Sequence, residues 1–85
     1  MEFIDTISSE NKWGGLLHMI KLTPKEYEIL ERIAEDKTNN EISLELGMSR
    51  RTVEYHISSI IRKLNAETRL GAVVTAIKLG LLSIK

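Results

Sequence analysis

Apolar residues recur every three to four positions in four successive segments of this chain. Such spacing places the apolar side chains of each segment on one face of an α-helix. The pattern therefore predicts an all-α, four-helix domain. The residues expected on the inner faces of the first three helices are Tyr27, Leu30, Ile33 and Ala34, then Ile42, Leu44 and Leu46, then Val53, Ile57, Ile60, Ile61 and Leu64.

Each predicted helix is preceded by a residue that can cap it. In "LTPKEY", Thr23 is suited to the N-cap, Pro24 to the first helical position and Glu26 to the third. A threonine followed three positions later by glutamate is typical of a capping box, and "TNNE" repeats it with Thr38 and Glu41. The first helix is thus predicted over about residues 24–36, and the others after residues 38, 49 and 68.

Only Gly47, Met48 and Ser49 separate the second helix from the third. Gly47 can take the left-handed conformation that ends a helix, and Ser49 can cap the next one. A helix, a tight turn and a capped second helix are typical of a helix-turn-helix. The small side chain of Ser43 allows the third helix to cross the second closely.

The third helix carries the candidate chemistry. If its apolar stripe faces the core, Arg51, Glu54, Tyr55 and Ser58 face outward. In a helix-turn-helix, the early residues of the second helix enter the major groove of DNA. Arg50 and Arg51 stand at a helix start, where the dipole disfavours cations, so they indicate an external phosphate or base edge as their counterpart.

Two of these side chains have a second interpretation. Glu54 can accept from a cytosine or adenine amine, or it can simply pair with Arg50 one turn earlier. Tyr55 can contact DNA, or it can pack against the first helix.

His56 flanks the core face, which favours a structural or phosphate-side hydrogen-bonding role. Further phosphate contacts are expected from Thr52, Arg62 and Lys63.

The chain of 85 residues is neutral overall, but its charges are distributed unevenly along the sequence. Residues 1–47 contain five Lys or Arg against ten Asp or Glu, whereas residues 48–85 contain seven against two. Such a division can attract a polyanion to one face only, or it can be the uneven charge of an ordinary solvated surface. With 42% hydrophobic and 28% charged residues, the chain is expected to fold as one small domain.

Several classes of function are disfavoured by composition. The chain has no cysteine, and its two histidines, His18 and His56, show no metal-ligand spacing. It has no nucleophile–base pairing and no phosphate-binding glycine loop, so we predict neither an enzyme nor a bound cofactor. Its apolar runs are far shorter than the roughly 20 residues of a membrane helix, and no secretory signal opens the chain. A cytoplasmic protein without membrane contact is predicted.

Five motifs carry a specific resemblance: "LTPKE", "IAEDKTNNEIS", "LGMSRRTVEYHI", "IIRKLN" and the "TR" before the last helix. Together they resemble the LuxR-type (GerE-like) DNA-binding domain of bacterial transcription regulators, over about residues 22–82. The resemblance implies a four-helix domain that binds double-stranded DNA as a homodimer through its last helix. It implies base contacts from Glu54, Tyr55 and Ser58, and phosphate contacts around Thr38, Arg51, Thr52, Lys63 and Arg69.

The sequence departs from the family pattern at two places. Family members often have lysine or arginine where Glu54 stands, so their sequence preference does not transfer. Many have threonine followed by glutamate or glutamine where this chain has Leu70 and Gly71. Because glycine offers no capping side chain and weakens a helix, the start of the last helix is not established by the motif.

The last segment, from Leu70 to Leu82, is apolar on nearly every side. Such a helix must be covered on more than one side, and we expect one side to pack on the domain's own core and the other on the same helix of a second copy. The expected seam between copies consists of Val73, Ala76, Ile77 and Gly80. The alternative is burial of this helix by the N-terminal segment.

Residues 1–21 lie outside the resemblance and form an extension or linker to the domain at 22–85. Phe3, Ile4 and Ile7 have helical spacing there, which predicts a possible extra helix. If Met1 is the native start, the chain resembles the short stand-alone family members without an upstream regulatory domain.

The predicted function is a sequence-specific, double-stranded DNA-binding transcription regulator, acting as a homodimer with its third helix in the major groove. A related hypothesis is a promoter-recognising part of a sigma factor, with RNA polymerase as partner. The alternative from a different class is a small helical protein-interaction module. That module would use the last helix and Trp13 to sequester another regulator.

Overall fold

The computed structural model describes residues 20–83, and this part of the chain folds into four helices without strands. The all-α prediction is confirmed. The predicted extra helix around Phe3 and the partner-binding role given to Trp13 lie outside the described residues. The helices are α1 (Pro24–Ala34), α2 (Asn39–Leu46), α3 (Arg50–Lys63) and α4 (Arg69–Lys78).

Capping boxes start α1 and α2, as the sequence predicted. The hydroxyl of Thr23 accepts from the Glu26 N–H at 3.1 Å, and Glu26 Oε1 accepts from the Thr23 N–H at 2.8 Å. Thr38 and Glu41 repeat the same two bonds with the same lengths, 3.1 and 2.8 Å. Each box satisfies two backbone donors that the helix itself leaves unpaired, so both helix starts are determined locally.

The other two helices begin at single hydroxyl caps. Ser49 accepts from the Thr52 N–H at 3.0 Å at the start of α3. Thr68 accepts from the Gly71 N–H at 3.0 Å at the start of α4. The glycine therefore does not displace the start of the last helix, because Thr68 supplies the capping oxygen and needs only the glycine's backbone N–H.

Helix α3 is central to the packing, since it contacts α1, α2 and α4, while α1 also packs on α4. Most of its predicted apolar stripe is buried, and only Ile61 is half-buried. Removing these side chains from water stabilises the fold by roughly 1.5–3 kcal/mol for each large one. The buried core consists of Leu22, Ile29, Leu30, Ile33, Ile42, Val53, Ile57, Ile60, Leu64, Ala72, Val73 and Ala76.

Two residues assigned to inner faces by periodicity are on the surface. Leu44 is 74% exposed, because α2 is short and meets α3 through Ile42 and the buried Ser43. Ala34 is exposed at the end of α1, whose buried apolar residues are Ile29, Leu30 and Ile33. Ser43, the residue predicted to allow a close crossing, is buried, and its hydroxyl donates to the Asn40 carbonyl at 2.9 Å.

The turn between α2 and α3 depends on Gly47, whose φ of 67° and ψ of 39° are left-handed. The Gly47 and Met48 N–H groups both donate to the Ser43 carbonyl, the latter at 3.0 Å. This closes α2 and directs the chain into the Ser49 cap, completing the predicted helix-turn-helix. No helix within residues 20–83 is long and apolar enough to span a membrane.

Candidate nucleic-acid interface

Four exposed side chains form a stripe along the outer face of α3: Arg51, Tyr55, Ser58 and Arg62. Their spacing of four, three and four residues keeps them within about 60° of one another around the helix axis. The stripe is opposite the buried face that includes Val53. It spans about 16 Å along the axis and has a guanidinium at each end.

Tyr55 lies in the middle of this stripe and is 69% exposed. Packing against α1, the alternative interpretation, therefore does not occur. The Tyr55 ring makes an edge-on contact with the His56 ring, at a centroid distance of 5.7 Å. An exposed tyrosine can offer both the face of its ring and its hydroxyl to a partner.

Glu54 borders the stripe and is also exposed. No salt bridge joins it to Arg50, or to any other cation in the part of the chain described here. The local pair suggested by their spacing does not form. Within residues 20–83 no hydrogen bond or salt bridge engages the Glu54 carboxylate, so its oxygens can accept from donors outside this part of the chain.

Within the described residues, positive charge without a salt-bridge partner is concentrated on α3. In the α1–α2 region, Arg32 and Lys37 both bind Glu45, at 3.1 and 2.9 Å. Among residues 20–83, no salt bridge engages the exposed arginines of α3, which are Arg50, Arg51 and Arg62. This distribution gives the nearly neutral domain one face that can attract an anion.

At the start of α3, Ser49 and Thr52 are hydrogen-bonded to each other through their side chains, at 2.9 Å. Both hydroxyl groups lie at the N-terminal end of the helix beside Arg50 and Arg51. Backbone N–H groups and the positive end of the helix dipole point outward there. The Thr52 hydroxyl is therefore placed among groups that favour an anion.

Arg69 connects the start of α4 to the start of α2, which is 30 positions away in the sequence. Its Nη1 donates to Asn39 Oδ1 at 2.6 Å, and its Nη2 donates to the Lys37 carbonyl at 3.2 Å. The tertiary structure thus brings Arg69 beside Thr38, another predicted phosphate contact. Nothing in the sequence indicated the Asn39 contact, because no local spacing relates the two residues.

Lys63 belongs to a network inside the domain. Its Nζ donates to Glu26 Oε1 at 2.8 Å and to the Lys21 carbonyl at 3.0 Å. Glu26 is only 3% exposed and also accepts from Ser59 Oγ and from the Thr23 N–H. Burial acts to raise the Glu26 pKa, but hydrogen bonds from Lys63, Thr23 and Ser59 outweigh it, and the pKa lies below its ordinary value.

From the sequence, Glu26 is recognisable only as a capping residue, and Ser59 was missed. A signal was available, since Ser59 and Lys63 are one turn apart on a side of α3 whose other members, Thr52 and His56, are also polar. That spacing identifies a polar side of the helix, but it does not identify the carboxylate that the side would meet.

The seam predicted on α4 needs correction. Ala76 is fully buried and Val73 is 9% exposed, because both pack into the domain's own core. They are not available to a second copy. The exposed apolar positions are instead Leu70 and Val74, at 70% and 42%, with Ile77 partly exposed one turn further on.

These outward residues form the floor of an open groove between α4 and the C-terminal half of α1. Leu70, Val74 and Ile77 follow the helical spacing of a single stripe on α4, and Leu81 lines the same groove from beyond the end of the helix. Charged side chains, including Glu31 and Glu35, form the rim. Gly80, the last residue of the predicted seam, is exposed just beyond α4 with a φ of 76°.

A family model described as "Bacterial regulatory proteins, luxR family" matches residues 21–76, which include α1, α2, α3 and most of α4. The chain belongs to this family. The resemblance inferred from the motifs is confirmed, and the four helices are the family's helix-turn-helix domain for DNA-binding transcription regulation. The candidate interface on α3 is therefore in a DNA-binding domain.

Curated relatives agree with this assignment. Spore germination protein GerE of Bacillus subtilis is 42% identical over 59 residues, which are 69% of this chain and 80% of GerE. The quorum sensing-dependent transcriptional regulator RpaR of Rhodopseudomonas palustris is 47% identical over 62 residues, 73% of this chain. A solved structure of GerE superimposes with a TM-score of 0.70 at 39% identity, covering 73% of this chain and 92% of that one.

Other relatives are considerably longer than the region of similarity. The match spans 26% of RpaR. The response regulatory protein YgeK of Escherichia coli is 42% identical over a match that covers 95% of this chain and 63% of YgeK. This LuxR-family chain thus covers less than two thirds of those two relatives.

Proposed function

We propose that this LuxR-family protein is a sequence-specific regulator that inserts α3 into the major groove of double-stranded DNA. The exposed stripe on α3 is the observation that carries the proposal. The major groove is about 12 Å wide, whereas the stripe is about 16 Å long with arginines at its ends. Arg51 and Arg62 can therefore reach phosphates on the two sides of the groove while Tyr55 and Ser58 face the bases.

The proposed base contacts are Glu54, Tyr55 and Ser58. Ser58 can donate to or accept from several base edges, whereas ionised Glu54 can only accept, which favours a cytosine or adenine amine. Glu54 repels phosphates at the same time, so it contributes selectivity rather than affinity. The proposed phosphate contacts are Thr38, Arg50, Arg51, Thr52, Arg62 and Arg69.

The active form is proposed to be a homodimer that covers the exposed stripe of α4. The stripe of Leu70, Val74 and Ile77 offers two copies a surface on which to pack α4 against α4 around a two-fold axis. Two domains related in this way would read half-sites about one helical turn of DNA, roughly 34 Å, apart. Support comes from the exposure of these apolar residues, which is unfavourable in an isolated domain.

Selection of bound duplexes from a random pool tests the function directly, because it reports binding, base preference and half-site spacing together. We expect a short preferred sequence, repeated as an inverted pair. Failure to retain any duplex at low salt would remove the proposal.

Arg51→Met and Arg62→Met provide the second part of the test, with the exposed Lys78→Met on α4 as the matched control. Each arginine variant should weaken binding to every duplex and reduce the slope of log affinity against log salt by about 0.9. Lys78→Met should leave that slope unchanged. Equal slopes for all three variants would contradict the assignment of the arginines.

A second candidate function is a protein-interaction module, which the open groove beside α4 favours. Its apolar floor and mainly acidic rim suit an amphipathic helix with basic flanks, in RNA polymerase or in another regulator. Copurification with polymerase that persists after nuclease treatment would support this function. A gel shift on genomic fragments separates it from DNA binding.

A further inference from the structure

The carboxylate of Glu26 is the most deeply buried charge in the described part of the chain, at 3% exposure. It lies where the first turn of α1 meets the C-terminal half of α3. Three donors surround its two oxygens. Glu26 Oε1 accepts from the Thr23 N–H and from Lys63 Nζ, both at 2.8 Å, and Oε2 accepts from Ser59 Oγ at 2.9 Å. A single carboxylate thus joins its own helix cap to two side chains of α3.

The two donors from α3 lie one turn apart on the side of the helix that faces α1. Ser59 and Lys63 are displaced by about 70° and 110° around the axis from the middle of the exposed stripe. Arg62, although adjacent to Lys63 in sequence, lies within the stripe and is exposed to solvent. The two neighbouring cations at the end of α3 therefore point in different directions.

The charge of Lys63 is already matched within the domain. Its Nζ contacts a buried carboxylate and the Lys21 carbonyl, and its side chain retains 33% exposure. Turning the ammonium toward a DNA phosphate would leave Glu26 buried without its cation, which is strongly unfavourable.

We propose that Lys63 is a positioning residue for DNA recognition and does not contact phosphate. Together with Ser59 and Glu26, it sets the rotation of α3 about its own axis and so aims Tyr55 and Ser58 at the bases. This inference rests on the function proposed above. It assigns a different role to one residue that the family resemblance placed among the phosphate contacts.

The physical basis is the difference between apolar and polar packing. Burial of the isoleucines of α3 decides which face of the helix points inward, but the hydrophobic effect has no preferred direction and does not by itself fix the exact rotation of the helix. Hydrogen bonds to a fixed carboxylate are directional and restrain it strongly. At the outer radius of a helix, about 5–6 Å, a rotation of about 20° moves a side chain by roughly 2 Å. Such a shift breaks a base contact but leaves long arginine side chains able to reach phosphates.

The test compares two duplexes of equal length and base composition: the one selected from the random pool and a scrambled version of it. Lys63→Met and Glu26→Gln should each weaken binding to the selected duplex about ten-fold, comparable to the loss of one base contact. Both should leave the scrambled duplex and the salt slope unchanged. Arg62→Met, the matched control, should weaken both duplexes and lower the slope by about 0.9.

Glu26→Gln gives the sharpest contrast. It removes a negative charge from a DNA-binding domain, so long-range electrostatics predicts tighter binding, whereas loss of positioning predicts weaker binding to the selected duplex. Tighter or unchanged binding of both duplexes by Glu26→Gln would overturn the proposal. A salt slope lowered by about 0.9 in Lys63→Met would also overturn it, since Lys63 would then be a phosphate contact.

Circular dichroism establishes whether the variants fold. If Lys63→Met and Glu26→Gln do not fold, Ser59→Ala replaces them in the test. This substitution keeps the Lys63–Glu26 ion pair and removes only the hydrogen bond from Ser59 to Glu26. Ser59→Ala should lower the ratio of selected to scrambled affinity by a few-fold, and an unchanged ratio would overturn the proposal. Failure of the wild-type protein to bind any duplex is a separate result, which contradicts the proposed function itself.

Discussion

Tyr55 and Glu54 are neighbours on α3, and both are exposed without a salt bridge or buried packing in the described region. Substitution at either position should therefore leave the fold intact, with changes in the free energy of unfolding within about 0.5 kcal/mol. Any effect on DNA binding must then come from contact with the nucleic acid. This separation makes the two positions suitable for testing base recognition.

Tyr55→Ala is expected to change which duplexes a random-pool selection returns while keeping the salt slope of the wild type. Glu54→Gln removes a charge that repels phosphates, so binding to unrelated duplexes should become tighter and less selective. The two selections, compared with that of the wild type, measure both effects. Unchanged base preference in both variants would mean that these side chains do not read the DNA.

At the scale of helices and turns, the boundaries follow from local chemistry. Thr23, Thr38, Ser49 and Thr68 each cap the helix predicted for them, and these contacts involve residues no more than three positions apart. The prediction that Leu44 faces the core was wrong because burial, unlike capping, depends on a neighbouring helix. Periodicity identifies an apolar face on a helix of eight residues, but the neighbouring helix determines which part of that face is covered.

Gly47 sets the angle between α2 and α3, and its φ of 67° is unfavourable for any residue with a Cβ. Because a Cβ at this position would meet no atom within 4 Å, the cost of Gly47→Ala should come from backbone strain alone. We expect a loss of about 1 kcal/mol in the free energy of unfolding, measured with urea. Gly47→Asn, which tolerates this conformation better, should lose less, and equal losses would contradict the explanation.

At the scale of the whole molecule, stability should depend on pH through Glu26, which joins α1 to α3. Its pKa in the folded state lies below the ordinary 4.5, so the unfolded chain binds more protons in this range. The contribution is complete above about pH 4.5 and is lost as the pH falls through the lowered value.

Urea unfolding between about pH 3 and 6 measures this dependence. Glu26→Gln should make the free energy of unfolding depend less steeply on pH, without abolishing the dependence. Glu45 also has a lowered pKa, caused first by the hydrogen bond from Lys37 and then by that from Arg32. A profile for Glu26→Gln as steep as that of the wild type would contradict the role given to the buried carboxylate.

Self-association also belongs to this scale, because it depends on which apolar residues the folded domain leaves uncovered. Leu70→Ser and Val74→Ser should convert a dimer to a monomer in sedimentation experiments with and without the selected duplex. Leu44→Ser is the matched control, since Leu44 is about as exposed as Leu70 but lies on α2. Dimers that survive the α4 changes, or a wild type that is monomeric at high micromolar concentration, would contradict the proposed interface.

Local sequence determined the helices, their caps, the left-handed turn at Gly47 and the exposed stripe on α3. All of these depend on residues within a few positions of one another, and the family motifs extend the same information. For this reason the fold class and the outward position of Tyr55 could be predicted from the amino-acid sequence alone.

Only the tertiary structure decided the partners of side chains that reach across the domain. Arg69 meets Asn39 and Lys63 meets Glu26. Ala76 is buried while Leu70 is exposed, although both are apolar residues of a segment that is apolar on nearly every side. The physical reason is that such contacts depend on how helices cross in space. The sequence specifies which groups are charged or apolar, and the packing of the helices selects which of them remain free to bind DNA.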